Sequence, residues 1–301
     1  MDNQIRLIQF IHPGGEHVPD DGDHKHWNTG IHQRKFLQHH GQYVSGNALD
    51  YLVTDDLHFW GEWEPESTVV GVIRNRVDGG PHYVYKPWYG AIPTTWSQNT
   101  DPFVFGDSFL YSNCKQSTKL GLTQLAMLGR GSVILFGSCM ALSQFVVDTV
   151  FVVDQWIKFY PPNYKGELAG HVSKTFEDVT LSRIKEHTRS PLTLYFGATY
   201  DHRVAGMFSF FPCLPNGHDK CGFARPVIEM QGQITNNLTQ GKKMTVQPDL
   251  ASMQACWYEV VRQVTDKKLM LGVSADLPEQ RIESDTSLGT KESHPSSRRG
   301  C

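Results

Sequence analysis

Four short stretches of the chain gather the side chains that acid–base, anion-binding or stacking chemistry needs. The first is His12-Pro13-Gly14-Gly15-Glu16-His17. Imidazoles and a carboxylate on a Gly-rich turn can act as acid, base or metal ligands. The Pro-Gly-Gly run excludes a helix, so this is not the helical zinc signature with two histidines four residues apart. The second is His24-Lys25-His26-Trp27-Asn28-Thr29-Gly30-Ile31-His32-Gln33-Arg34-Lys35-Phe36. Arg34 and Lys35 suit an anion, Trp27 suits a planar ring and Asn28 adds an amide. The third is Trp60-Gly61-Glu62-Trp63-Glu64, read as a strand with its aromatics to one side and its carboxylates to the other. There a base would stack while Glu62 accepts from its amino edge. The fourth is Tyr111-Ser112-Asn113-Cys114-Lys115-Gln116, a polar loop in which Lys115 would lower the thiol pKa of Cys114.

Each stretch also has a purely structural reading. Turn polar groups are often solvated, and Trp27, Phe36, Trp60 and Trp63 would serve equally as anchors in a core. Five of the seven tryptophans precede residue 97, and seven of the fourteen histidines lie at or before His40. This concentration favours a ligand site in the first third. Residues 1–66 also carry 11 acidic against 4 basic side chains. A second use of the same residues is a divalent metal held by His12, Glu16, His17 and His32, activating a water for hydrolysis.

The elements that must position these groups read mainly as strands. Ile5–Ile11, Val69–Ile73, His82–Tyr85, Ser132–Phe136, Phe145–Val153, Leu192–Phe196 and Met207–Phe211 are β-branched or aromatic runs bounded by turn residues. Helices are expected over Leu120–Leu128, Phe176–Glu186 and Leu250–Thr265. The last places Met253, Cys256, Trp257, Val260, Val261 and Val264 at helical spacing. Strand and helix do not alternate regularly, which argues against a doubly wound parallel sheet. The expected fold is α+β, a mixed, strongly curved sheet or small barrel with flanking helices. It divides into a His- and Trp-rich segment over 1–66 packed on the core, a β-rich domain over 67–275 and a disordered tail over 276–301.

Composition narrows the classes. Hydrophobic residues make up 39% and charged residues 20%, an ordinary globular balance. The apolar stretch Val146–Val153 is interrupted by Asp148 and Thr149 and is far too short for a membrane helix. No secretory signal is visible and the six cysteines follow no disulfide spacing, so a cytoplasmic chain with no membrane partner is expected. A net charge of −3 does not suit a broad duplex-binding face. The phosphate-binding loop, the dinucleotide fingerprint and the Gly-x-Ser-x-Gly elbow are all missing.

Several of these pieces together resemble the nucleotide modification associated domains. They are the Asn113-Cys114-Lys115 loop, the run from Leu128 to Ser138 ending Phe136-Gly137-Ser138, and the apolar strand Phe145–Val153. Leu194–Tyr200 and Met207–Cys213 would complete the domain. The resemblance covers about half the chain and extends to PUA-like barrels that read modified bases. It implies a partner that is a nucleotide or a nucleic acid with modified bases, leaves open whether a reaction follows, and names no cofactor. Asn113, Lys115, Ser138 and Tyr195 would then line the pocket, with Trp27, Asn28, Arg34, Lys35 and Glu62 closing it. The resembling domains usually carry Gly-Asp where this chain has Gly131-Ser132.

Overall fold

The computed structural model describes residues 4–12, 14–19, 33–45, 51–90, 100–140, 144–184, 190–217, 222–238 and 241–281. Most of the secondary structure is strand, arranged in mixed sheets with few helices. The first sheet is built on β1 (Arg6–Ile11). This strand runs parallel to β9 (Val133–Met140) and antiparallel to β13 (Gly241–Val246). β9 pairs antiparallel with the long β10 (Gln144–Phe159), which pairs with β11 (Leu192–Gly197), and β11 with β6 (Leu110–Tyr111).

The second sheet centres on a long antiparallel pair, β2 (Lys35–Val44) and β3 (Leu52–Gly61). β3 also pairs with β12 (Phe211–Pro215), and β14 (Met270–Ala275) pairs with both β12 and β2. On the other side β2 meets β5 (Tyr83–Tyr89), flanked by β4 (Ser67–Val72) and β15 (Glu279–Gln280). Residues 1–66 therefore contribute β1, β2 and β3, which are integral to both sheets.

β1, β9 and the first half of β10 are buried on both faces, which explains their near-continuous apolar runs. Along β1 and β9, Ile8, Phe10, Ile134 and Phe136 join one core with Leu37, Leu57 and Phe59 of the second sheet. Leu7, Ile11, Val133 and Leu135 face the opposite core, which is closed by α3 (Leu250–Asp266). Before α3 come the short α1 (Tyr164–Glu167) and α2 (Lys174–Val179). Asp249 caps α3 by accepting from Ser252 N at 2.7 Å, and all six expected apolar positions of the helix are buried. Trp257, fully buried, donates from Nε1 to Phe208 O at 3.0 Å.

Three expected elements differ. Leu120–Leu128 forms no α-helix: the two-residue strands β7 (Ser117–Thr118) and β8 (Gly121–Leu122) form a hairpin, and a single 3₁₀ turn follows over Gln124–Ala126. Gly121 sits at φ 118°, in a conformation a helix cannot use. The helix expected over Phe176–Glu186 ends at Val179, and a 3₁₀ turn over Leu181–Arg183 follows it. The strand expected over Met207–Phe211 begins only at Phe211. No helix among the described residues is long and apolar enough to cross a membrane.

Candidate functional site

The end of β1 meets the open end of the β2–β3 pair in a buried cluster of charged side chains. Lys35 and Gly61 are the last paired residues of β2 and β3, so Arg34 and Glu62 occupy the next rung. An Arg34 nitrogen, Nη2, lies 2.5 Å from Glu62 Oε1. The same carboxylate oxygen contacts Nδ1 of His12, the residue following β1. Arg34 is fully buried, His12 2% exposed and Glu62 9% exposed, so the three groups interact in a medium that screens charge weakly.

A β-bulge supplies the next member. Val147 of β10 is opposite Gly137 and Thr149 opposite Phe136, which leaves Asp148 as the extra residue. Such an insertion re-aims its side chain, and Asp148 Oδ2 accepts from Arg34 Nε at 2.9 Å. Asp148 Oδ1 lies 3.4 Å from Arg225 Nη1, which also donates to Ser138 Oγ at 2.6 Å. Arg225 is carried by a segment tied to β10 through the hydrogen bond from Val147 N to Pro226 O. Its guanidinium lies over the Trp60 ring at 5.4 Å.

Lys115 closes the cluster from a third direction. Its loop is held by the buried Asp101, whose carboxylate accepts from the backbone N–H of Ser112, Asn113 and Cys114 at 3.0, 2.7 and 2.8 Å. Lys115 itself is left-handed, at φ 57°, an uncommon conformation for a side chain with a Cβ. Its Nζ donates to Ile11 O at 3.1 Å and lies 5.1 Å from the centre of the Phe10 ring. Partly exposed, Lys115 is where the cluster approaches solvent.

The electrostatics follow from burial. Burial lowers the pKa of His12, Glu62 opposes this, and Arg34 and Lys115 reinforce it, so the imidazole is neutral near pH 7. Burial also works against the charge on Arg34, but Glu62 and Asp148 more than offset it and hold its pKa above the usual value. On the solvent side, burial together with Lys115 and Arg6 pushes Lys242 of β13 down to about 8. One atom of the cluster is unsatisfied: Arg34 Nη1 is buried and has no hydrogen-bond partner.

The structure gathers Arg34, Glu62, Lys115 and Ser138 with His12. It places the other candidates elsewhere. Lys35 donates to Pro65 O at 2.8 Å, and the Tyr195 hydroxyl accepts from Leu128 N at 2.9 Å inside the core. Asn113 contributes its backbone N–H to Asp101. The Glu16 carboxylate accepts from His82 N and Tyr83 N, and His17 Nδ1 pairs with Gln33 Oε1 at 3.0 Å. Among the described residues no three His, Cys, Asp or Glu side chains are grouped to hold a metal. Trp27, Asn28 and His32 lie outside the described residues.

Two local expectations need correction. Strand β3 ends at Gly61, and Trp60 and Trp63 are an odd number of residues apart. They enter different cores, Trp60 beside Phe36 and Trp63 against Phe105, and neither offers an open stacking face. Burial drives the Cys114 thiol well above its ordinary pKa, with Asp101 acting in the same direction and outweighing Lys115. Asp148 and Arg225 were not among the sequence candidates. A carboxylate inside the apolar run Val146–Val153 is a signal for the first, because a charge there needs a partner. No local signal marks the second.

Two open clefts of about 960 and 1040 Å³ lie elsewhere and share Ser108, Thr199, Asp201 and His202. None of the charged cluster lines either one. No protein-family model, curated protein or solved structure matches the chain.

Proposed function

We propose that this chain binds a nucleotide, free or within a nucleic acid carrying modified bases, with the base edge at Arg34. The observation that carries the reading is the buried, unpartnered Nη1 of Arg34. A buried donor without an acceptor costs about 1–3 kcal/mol, which a ligand oxygen or ring nitrogen would recover. Guanidinium donors are well matched to the carbonyl and ring-nitrogen edge of a base. Glu62 beside it would accept from an exocyclic amine.

Charge favours a base over a polyphosphate at the buried end. Among the described residues, Arg34, Arg225 and Lys115 carry three positive charges against two on Glu62 and Asp148, with His12 neutral. Glu64 also acts on Arg34 and reduces this further. Lys115 and Lys242 influence each other electrostatically at the solvent side, where a nucleotide phosphate would be welcome. The PUA-like barrel implied by the sequence resemblance is part of this proposal.

The test is a tryptophan-fluorescence titration of the full chain with cytidine and uridine nucleotides and short oligonucleotides, plain and base-modified. Trp60, against Arg225, is the reporter. Saturable quenching is expected, weakened at least about tenfold in Arg34→Lys, which keeps the charge and loses the fork. No response from any probe, or equal affinity in the variant, overturns the reading.

A further inference from the structure

Among the described residues, only β13 and β4 are strands longer than two residues with one edge unpaired. β13 carries Lys242 and Lys243, the kind of side chain that keeps an edge from pairing with another chain. β4 has no such guard. Its sequence, Ser67-Thr68-Val69-Val70-Gly71-Val72, is uncharged, and Val69, Val70 and Val72 are 38%, 47% and 62% exposed. We infer that β4 is the docking edge for a second copy of this chain, the two β4 strands running antiparallel about a two-fold axis. The inference is independent of the nucleotide reading and goes beyond it.

The backbone of β4 presents what an extended partner needs. Trp88 N donates to Glu66 O and Ile73 N donates to His82 O, so Glu66 and Ile73 turn their backbone groups toward β5. By the alternation of an antiparallel pair, Ser67, Val69 and Val72 turn their N–H and C=O groups outward. Among the described residues no strand pairs with that side. A row of alternating donors and acceptors is satisfied by another strand, and the exposed valines favour an apolar one.

Charge at the two ends selects a second copy. Glu66 precedes β4, while Arg74 and Arg76 follow it. Antiparallel pairing lays Glu66 of each copy near the partner's Arg74 and Arg76, so the complementary contact occurs twice. Parallel pairing would set like charges side by side. Glu66 is half-buried and accepts from Gly90 N at 3.3 Å, and Arg74 is exposed. One patch thus supplies both halves of the contact, as a closed two-fold interface requires.

The same strand limits the strength of the contact. Its register against β5 slips between Val69 and Gly71, which makes Val70 the extra residue of a β-bulge. A bulge bends an edge and shortens the run that can pair. The dimer is therefore reversible, with a dissociation constant on the order of 10 µM, at the weak end of specific interfaces.

The test is sedimentation equilibrium of the full chain. Wild type is expected to pass from monomer to dimer over about 1–300 µM, with weaker association at high salt. Val72→Lys gives β4 the guard that β13 has and should weaken dimerisation at least about tenfold. Arg74→Glu should weaken it about fivefold, and Glu66→Arg together with Arg74→Glu in one chain should return it to within about twofold of wild type. That rescue is specific to antiparallel pairing of two β4 edges. A monomer at every concentration up to about 0.3 mM overturns the inference. So does a dimer unchanged by Val72→Lys, or a doubly reversed chain no tighter than Arg74→Glu alone. Circular dichroism reports the folding of each variant, and should Val72→Lys not fold, wild type and the exposed Arg74→Glu decide.

Discussion

Replacing Arg34 by Met tests whether the charged cluster is a closed network in the core. The substitution keeps the side-chain length and removes the 2.9 Å hydrogen bond to Asp148, the 3.2 Å bond to His12 O and the ion pair with Glu62. Removing one partner of a buried ion pair costs about 3–5 kcal/mol. Counting the two carboxylate contacts instead, at about 1.5–3 kcal/mol each, gives about 3–6 kcal/mol. The unsatisfied Nη1 disappears as well, which returns about 1–3 kcal/mol and favours the lower end of both ranges. We therefore expect a loss of about 3 kcal/mol, or a fall of about 1 M in the urea midpoint at a slope of about 3 kcal/mol/M.

The sign of the pH dependence follows from the groups left behind. Without Arg34, Glu62 loses a cation at 2.5 Å and Asp148 retains Arg225 at 3.4 Å. A carboxylate left buried without its cation favours the protonated form, which gives stability at low pH that is lost as pH rises. The penalty should thus be full at pH 7 and shrink toward pH 4. Equilibrium urea unfolding at several pH values reads both. A penalty below about 1 kcal/mol that does not vary with pH would show that these charges are hydrated, and the reasoning would fail.

Two further outcomes are expected. Asp101→Asn puts an amide where an acceptor stood and strands one or two of the N–H groups of Ser112, Asn113 and Cys114, at about 1–3 kcal/mol each. Hydrogen exchange at the amides of 113 and 114 should accelerate, and unchanged protection would rule out Asp101 as the clamp of this loop. The second concerns His12, whose pKa burial lowers. Its unprotonated form contributes stability above the unfolded value near 6.5 that is lost as pH falls toward the folded pKa. The stability of wild type relative to His12→Gln should therefore fall between pH 7.5 and 5, and a constant difference in urea titrations would contradict it.

Legibility in the sequence tracked how much of each element is buried. Helix α3 was readable because six apolar residues form one stripe and the rest face water. β1, β9 and β10 were readable because both faces are covered, so apolar residues follow one another. β2 and β3 are not legible as strands because they are partly exposed and carry Gln38, His39, His40, Gln42, Asp55 and Asp56, which read as loop. Arg34, Glu62, Lys115 and Ser138 stand out on local grounds, but their convergence depends on strand register. A bulge at Asp148 and a donor from Arg225 are products of pairing between distant segments, and no window of sequence contains them.

The cluster draws on residues from His12 to Arg225, and the Arg34–Asp148 and Asp148–Arg225 contacts span 114 and 77 residues. Such separations tie completion of the cluster to the closure of long loops. During synthesis, Arg34 and Glu62 emerge long before their distant partners, and a nascent chain must extend beyond Arg225 to complete the constellation. β13, which pairs with β1, comes later still. The intact network would thus report that the segments from His12 to Arg225 have come together, and fragments ending before Arg225 should lack it however much of the two sheets they retain.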